Sequence, residues 1–171
     1  MDCLEDRFRT LLSEIWTTDD PELAHTPEAF LSLLREFDGT GEAPDVQLIE
    51  AASRDLVLIR DMPFHSLCAH HLVPFFGSID LVYLPDRSLA GLGWFPRLID
   101  HHARRPQLQE RLVAQVCDAV QRELAPKALG VRLRARQMCM ELRGARTSAT
   151  TESIAFRGEP HPALRTALYG G

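Results

Sequence analysis

The sequence predicts an α+β domain that carries a helical N-terminal extension. Three observations carry this expectation: two helical periodicities come first, β-prone alternating stretches follow, and two further helical stretches are inserted among those strands. At 171 residues the chain is long enough for one domain with a proper core, and no repeat or low-complexity tract divides it. A loop over 39–44 puts the extension at 1–44 and the main functional unit at 45–171.

Leu4, Phe8, Leu11, Leu12 and Ile15 recur at three- and four-residue steps, the stripe of an amphipathic helix, which Asp19-Asp20-Pro21 ends. Thr26-Pro27-Glu28 offers an N-cap followed by proline, and Phe30, Leu31, Leu33, Leu34 and Phe37 supply a second apolar face up to Gly39. Residues 55–60 are rich in branched apolar side chains and read as a strand leading into a loop around Cys68. A second strand over 76–84 alternates through Ile79, Leu81 and Tyr83 until Pro85-Asp86 turns the chain, and 89–93 is a short connection or strand. Phe95 opens a helix, and Leu108, Leu112, Val116, Val120 and Leu124, four apart, mark a longer one that stops at Pro126. After Gly130, Val131, Leu133 and Ala135 alternate with Arg132, Arg134 and Arg136, a strand with one wet face whose arginines serve solvent, a subunit contact or a substrate. Residues 147–156 are β-prone and pair with it, and Pro160 and Pro162 introduce a short terminal helix.

A net charge of −5 argues against nucleic acid as the main partner, because duplex binding needs a basic face that displaces counterions. No apolar run is long enough to span a bilayer and no signal-peptide core follows Met1, so the expectation is a cytoplasmic protein without a membrane partner. Four scattered cysteines do not make a secreted disulfide framework; they read as free thiols or metal ligands.

The chemistry gathers at Ser66-Leu67-Cys68-Ala69-His70-His71-Leu72-Val73-Pro74-Phe75. Cys68 and His71, three apart, can turn a thiolate and an imidazole toward one point, which suits zinc. A third ligand must come from elsewhere; the other thiols are Cys3, Cys117 inside a helical pattern, and Cys139, which we take to complete the site. Two sulfurs and one nitrogen leave a fourth tetrahedral position for water, the arrangement of a catalytic zinc. The competing reading is ordinary burial, since cysteines often act as small hydrophobes and histidines often sit hydrogen-bonded in cores.

Asp61-Met62-Pro63-Phe64-His65 running into that motif, then Gln107-Leu108-Gln109-Glu110-Arg111-Leu112, Met138-Cys139-Met140 and Arg143-Gly144, appear in an order that resembles GTP cyclohydrolase I. The similarity covers roughly 20–158. It implies a T-fold, an antiparallel sheet backed by two long helices, with subunits forming a barrel and a homodecamer of two stacked pentamers, active sites lying between subunits. It implies that Cys68, His71 and Cys139 hold zinc, whose acidified water attacks C8 of a guanine ring and releases formate before a pterin ring closes. His70 matches a histidine that handles protons, Glu110 the carboxylate that receives the guanine edge, and Gln109 is a weaker neighbouring candidate.

Departures from the family pattern fall on the same site. Gln137 stands where the family has a histidine, and an amide cannot carry a proton near neutral pH. Ala69 replaces a glutamate, and Gly93-Trp94 replaces a serine-lysine pair. Of five phosphate-gripping positions that align, Arg97 and Arg143 remain, while Ala29, Ser32 and Trp94 replace cations. Three readings follow. One is a zinc hydrolase that opens a guanine-type purine or related heterocycle carrying fewer phosphates, with Trp94 offering an aromatic face to sugar or base. Another is an authentic GTP cyclohydrolase I making dihydroneopterin triphosphate and formate, in which Arg132, Arg134, Arg136 or Arg146 supply the missing charge and another group such as His65 supplies the missing proton. The last is a zinc-stabilised assembly subunit without turnover.

Overall fold

In the computed structural model, which describes residues 3–16, 20–53 and 55–170, the first apolar stripe is helix α1 (Leu4–Ile15) and the second is α2 (Thr26–Arg35). Asp19 lies outside the described residues; Asp20 caps a short 3-10 turn, Pro21–Leu23, by accepting the Glu22 N–H at 3.0 Å. Thr26 is already the first helical residue, so the capping role expected of it is not played. His25 holds the N-cap position without a side-chain bond, and Pro27 is harmless in a first turn whose N–H groups have no helical partner. The two helices of this unit, Met1–Asp38, are held by a stacked Phe8–Phe30 pair at 5.3 Å and an Arg9–Glu28 ion pair at 2.8 Å.

The second unit, Gly39–Gly171, is built on a five-stranded sheet of order β5-β2-β3-β6-β7. Its strands are β2 (Val57–Cys68), β3 (Pro74–Leu84), β5 (Pro106–Gln107), β6 (Ala128–Gln137) and β7 (Thr150–Gly158). All pairings are antiparallel except β2 with β5. Two other strands, β1 (Leu48–Glu50) and β4 (Ser88–Ala90), pair with each other. Helices α3 (Trp94–Ala103) and α4 (Gln109–Leu124) supply Phe95, Leu98, Leu112, Val116 and Val120 to one core with Ile79, Leu81, Tyr83, Val131 and Leu133 of the sheet. The terminal helix α6 (Pro162–Tyr169) packs Leu164 and Leu168 on Val82 and Ala128, a second core cluster. Val82 of β3 and Ala128 of β6 are thereby buried too, which simple alternation does not foresee.

The strand expected at 55–60 runs on to Cys68 because a bulge resets its phase: the β2–β3 register shifts between Ile59 and Met62, and Asp61 takes a left-handed φ of 53°. Aspartate tolerates that conformation better than most residues. The Asp61 N–H donates to Asp80 at 2.9 Å, and its carboxylate meets Arg134 at 2.9 Å.

The arginine face of β6 is not uniformly wet. Arg132 is 4% exposed and donates twice to Asp80, at 2.7 and 3.2 Å, because the register sets these two residues opposite each other. Arg134 shares Asp80 at 3.2 Å, and Arg136 forks onto Glu141. Burial by itself would raise the Asp80 carboxyl, but the Asp61 N–H and the two guanidiniums outweigh it and hold the group below its usual range. Close approach of β3 and β6 requires Gly77: a Cβ there would lie 1.9 Å from the Arg134 carbonyl oxygen.

Candidate metal centre and active site

Pairing of β3 with β6 builds the site. The β2–β3 connection is tight: Cys68 N–H donates to Val73 at 2.9 Å, the Cys68 carbonyl accepts Leu72 N–H at 2.8 Å, and Leu72 takes φ 53°. A branched residue in that region stores strain of about 1 kcal/mol. β3 leaves the turn at Pro74, and β6 runs antiparallel to it, setting Gln137 opposite Phe75. The chain that leaves β6 enters a one-turn helix, α5 (Met138–Glu141), so Cys139 comes down beside the turn that carries Cys68 and His71.

The ligand atoms of Cys68, His71 and Cys139 all lie within 4.8 Å of one another, with Cys68 buried, Cys139 half-buried and His71 exposed. His71 Nδ1 faces Cys68 Sγ at 3.7 Å. Burial first, and the adjacent Cys68 thiol second, push the Cys139 thiol above its ordinary pKa. Two thiols and one imidazole, converging with one side open, are a donor set that a borderline-soft divalent cation fits. Zinc fits this set. Cys3 is exposed near the start and Cys117 is buried in α4, its thiol pushed up by burial to about 12; neither joins the group.

Arg143 approaches the other ring nitrogen, NH1 to Nε2 at 2.9 Å. A guanidinium only donates, so this contact places the ring proton on Nδ1. A cation held at Nδ1 would leave the ring proton on Nε2, and Arg143 would then lose this acceptor.

The remaining residues divide into three sets. Gln109 and Gln137 are joined, Gln137 Nε2 donating to Gln109 Oε1 at 2.7 Å, and Thr151 Oγ1 donates to the same oxygen at 2.7 Å. Thr151 is the participant that sequence patterning missed; it was one of several β-prone hydroxyl residues with nothing to single it out. His70 and Glu110 are exposed, His70 with its ring 6.1 Å from that of His71 and Glu110 in the first turn of α4. The Ala69 N–H bonds to the Gln107 carbonyl at 2.9 Å, which ties the Cys68 turn to the start of α4. Arg97 is exposed on α3 and donates to the Gly93 carbonyl at 3.1 Å. Trp94 is the correction: it is 1% exposed, packs edge-on against Phe95, and gives its Nε1–H to the Pro44 carbonyl at 2.9 Å. Buried aromatic area and a satisfied indole N–H leave no face for a ligand. No hydrogen bond, ion pair or ring contact among the described residues joins Glu110, Arg97 or Trp94 to the triplet.

The sequence pattern of GTP cyclohydrolase I matches residues 4–168. The chain belongs to the GTP cyclohydrolase I family. It is 41% identical over 165 residues to GTP cyclohydrolase 1 of Brucella anthropi, covering 91% of this chain and 76% of that protein. It is 38% identical over 162 residues to GTP cyclohydrolase 1 of Campylobacter jejuni, covering 90% and 85%, and 36% identical over 159 residues to that of Aquifex aeolicus, covering 91% and 86%. Among solved structures it is similar to the archaeosine synthase QueF-Like in the apo form, with a TM-score of 0.52 at 18% identity over 64% of this chain and 99% of that one. That likeness bears on the fold, and the α+β T-fold expected from the sequence is the fold observed. For a GTP cyclohydrolase I family member, a hydrolase is the activity class. No helix among the described residues is long and apolar enough to cross a membrane.

Proposed function

We propose that this chain is a zinc-dependent hydrolase that opens the imidazole ring of a guanine-type purine, with a weaker grip on phosphates than the family pattern provides. The observation that carries the reading is the convergence of Cys68, His71 and Cys139 within 4.8 Å, open to solvent on the His71 side. Zinc held there supplies Lewis-acid polarisation and a water acidified enough to act as a nucleophile near neutral pH.

The chain's own groups do the rest. His70, exposed beside the triplet, exchanges protons with the opening ring, a task suited to imidazole. Glu110 has no partner within the chain among the described residues and offers an acceptor-only group to the paired N–H donors of a guanine edge. Gln109, one residue away and buried, holds Gln137 by its amide, and Gln137, near Cys139, bonds without carrying a proton. Arg143 would be released from His71 Nε2 if Nδ1 held the cation, and would then be available to an anionic substituent of the substrate. Arg97 is the second cation; Trp94, sealed in the core, adds none, which supports the weaker phosphate grip.

Both sheet edges, β7 and the first part of β2, lack a strand partner among the described residues, which supports a homo-oligomeric assembly of the family's barrel and decamer type. We assign no nucleic-acid or membrane partner, and a cytoplasmic location. The second reading, an authentic GTP cyclohydrolase I, is favoured by the relatives that bear that name.

One assay separates the two. Zinc-loaded protein is incubated with GTP, guanosine monophosphate and guanosine, and formate and pterin fluorescence are followed. The expected outcome is more formate per unit time from the less phosphorylated compounds. Formate with pterin from GTP, and little from the others, establishes the second reading; no formate from any of them removes both.

A further inference from the structure

The amide of Gln137 is held in one sense by neighbours that permit no other. The Thr151 backbone carbonyl is an acceptor only, and it takes Gln109 Nε2 at 3.2 Å. Gln109 Oε1 is thereby left as the acceptor, and it receives Thr151 Oγ1 and Gln137 Nε2, each at 2.7 Å. Gln109 is 5% exposed, so turning its amide over would bury mismatched polar atoms. The sense of one backbone carbonyl on β7 is thus passed through Gln109 to Gln137. Gln137 Oε1 has no hydrogen-bond partner among the described residues and is not sealed from solvent, and it stands two residues before Cys139.

The geometry points to Gln137 as a fixed acceptor that selects substrates presenting an N–H or O–H donor beside the metal triplet, its sense set by the Thr151 backbone carbonyl through Gln109, with the Thr151 hydroxyl the positioning group that holds Gln109 Oε1 in place. This rests on the ring-opening reading above. Sites built to accept from a substrate donor discriminate strongly, since an analogue without the donor leaves the polar atom unpaired. Thr151 touches no substrate; its hydroxyl spans Gln109 Oε1 and, at 3.2 Å, the Ala135 carbonyl of its cross-strand partner.

The test is steady-state formate release from the best purine of the series above, for wild type, Thr151→Val, Thr151→Ser, Gln137→Ala and the Thr151→Val/Gln137→Ala double variant. Thr151→Val is expected to lower kcat/KM by about tenfold, the worth of one positioned hydrogen bond, with the shape of the pH profile unchanged because neither amide titrates. Thr151→Ser recovers wild-type activity to within about twofold, and the double variant is no worse than Gln137→Ala alone. Losses that multiply in the double variant, a serine variant as poor as the valine one, or a displaced pH limb overturn the proposal. Should the wild type release no formate, the ring-opening reading fails by itself. The amide sense is then read by neutron diffraction: deuterons on the Gln137 atom facing Gln109 support it, and an oxygen there overturns it.

Discussion

His102 shows how one half-buried residue contributes to the acid response of the unit. It ends α3 with its ring 4.9 Å from that of His101, and its Nδ1 is buried without a hydrogen-bond partner. Burial first, then the charges of His101, Arg105 and Arg122, push its pKa down to about 4. The unfolded chain binds this proton near pH 6.5 and the folded chain only near 4, so stability is whole above 6.5 and falls as pH drops toward 4. Partial exposure of the ring to solvent screens the effect, and the loss from this group between pH 7 and 5 is about 1 kcal/mol. His102→Phe should flatten that slope, seen as urea midpoints at pH 7 and 5 that lie closer together than those of wild type. An unchanged gap assigns the acid loss elsewhere. Nothing in the sequence marked His102 as buried, because a histidine pair at a helix end reads as surface; the same blindness sent Trp94 toward a ligand. Cys68, His71 and Cys139 were legible because metal chemistry narrows the choice to few residue types, whereas Thr151 belongs to a run of hydroxyl residues that only the β6–β7 register distinguishes.

Among the elements, the β3–β6 pair carries the most, since it forms the sheet centre and delivers Cys139 to the turn. Its polar side is fastened by Asp80, which is 2% exposed and binds Arg132, Arg134 and the Asp61 N–H. Asp80→Ala leaves Arg132 buried without its carboxylate and should cost about 3–5 kcal/mol, whereas Asp80→Leu with Arg132→Leu should cost distinctly less, because both charges go together. Urea unfolding of the three proteins checks this; a double variant as unstable as the single one would contradict it. Alternation foretold β3 and β6, β-prone composition foretold β7, and fourfold spacing foretold α4. The bulge at Asp61 was not legible, because a phase reset looks like the end of a strand. β1 escaped because all three of its residues are exposed, leaving no burial pattern to read.

At the scale of the whole chain, each unit has its own organisation: a helical pair over Met1–Asp38, and a sheet with its helices over Gly39–Gly171 that contains every candidate ligand. Fold class and the candidate metal triplet were both open to a reader of the sequence, one through periodicity and the other through ligand chemistry joined to the family resemblance. The sense of the Gln137 amide was not, because it depends on hydrogen bonds among three elements far apart in sequence. The account stands on a cation held by two sulfurs and one imidazole, and the most direct measurement is the zinc content of purified wild type and Cys139→Ser by atomic emission. It predicts one zinc per chain in the wild type and close to none in a folded variant. Full zinc in Cys139→Ser, or none in the zinc-supplemented wild type, would contradict it.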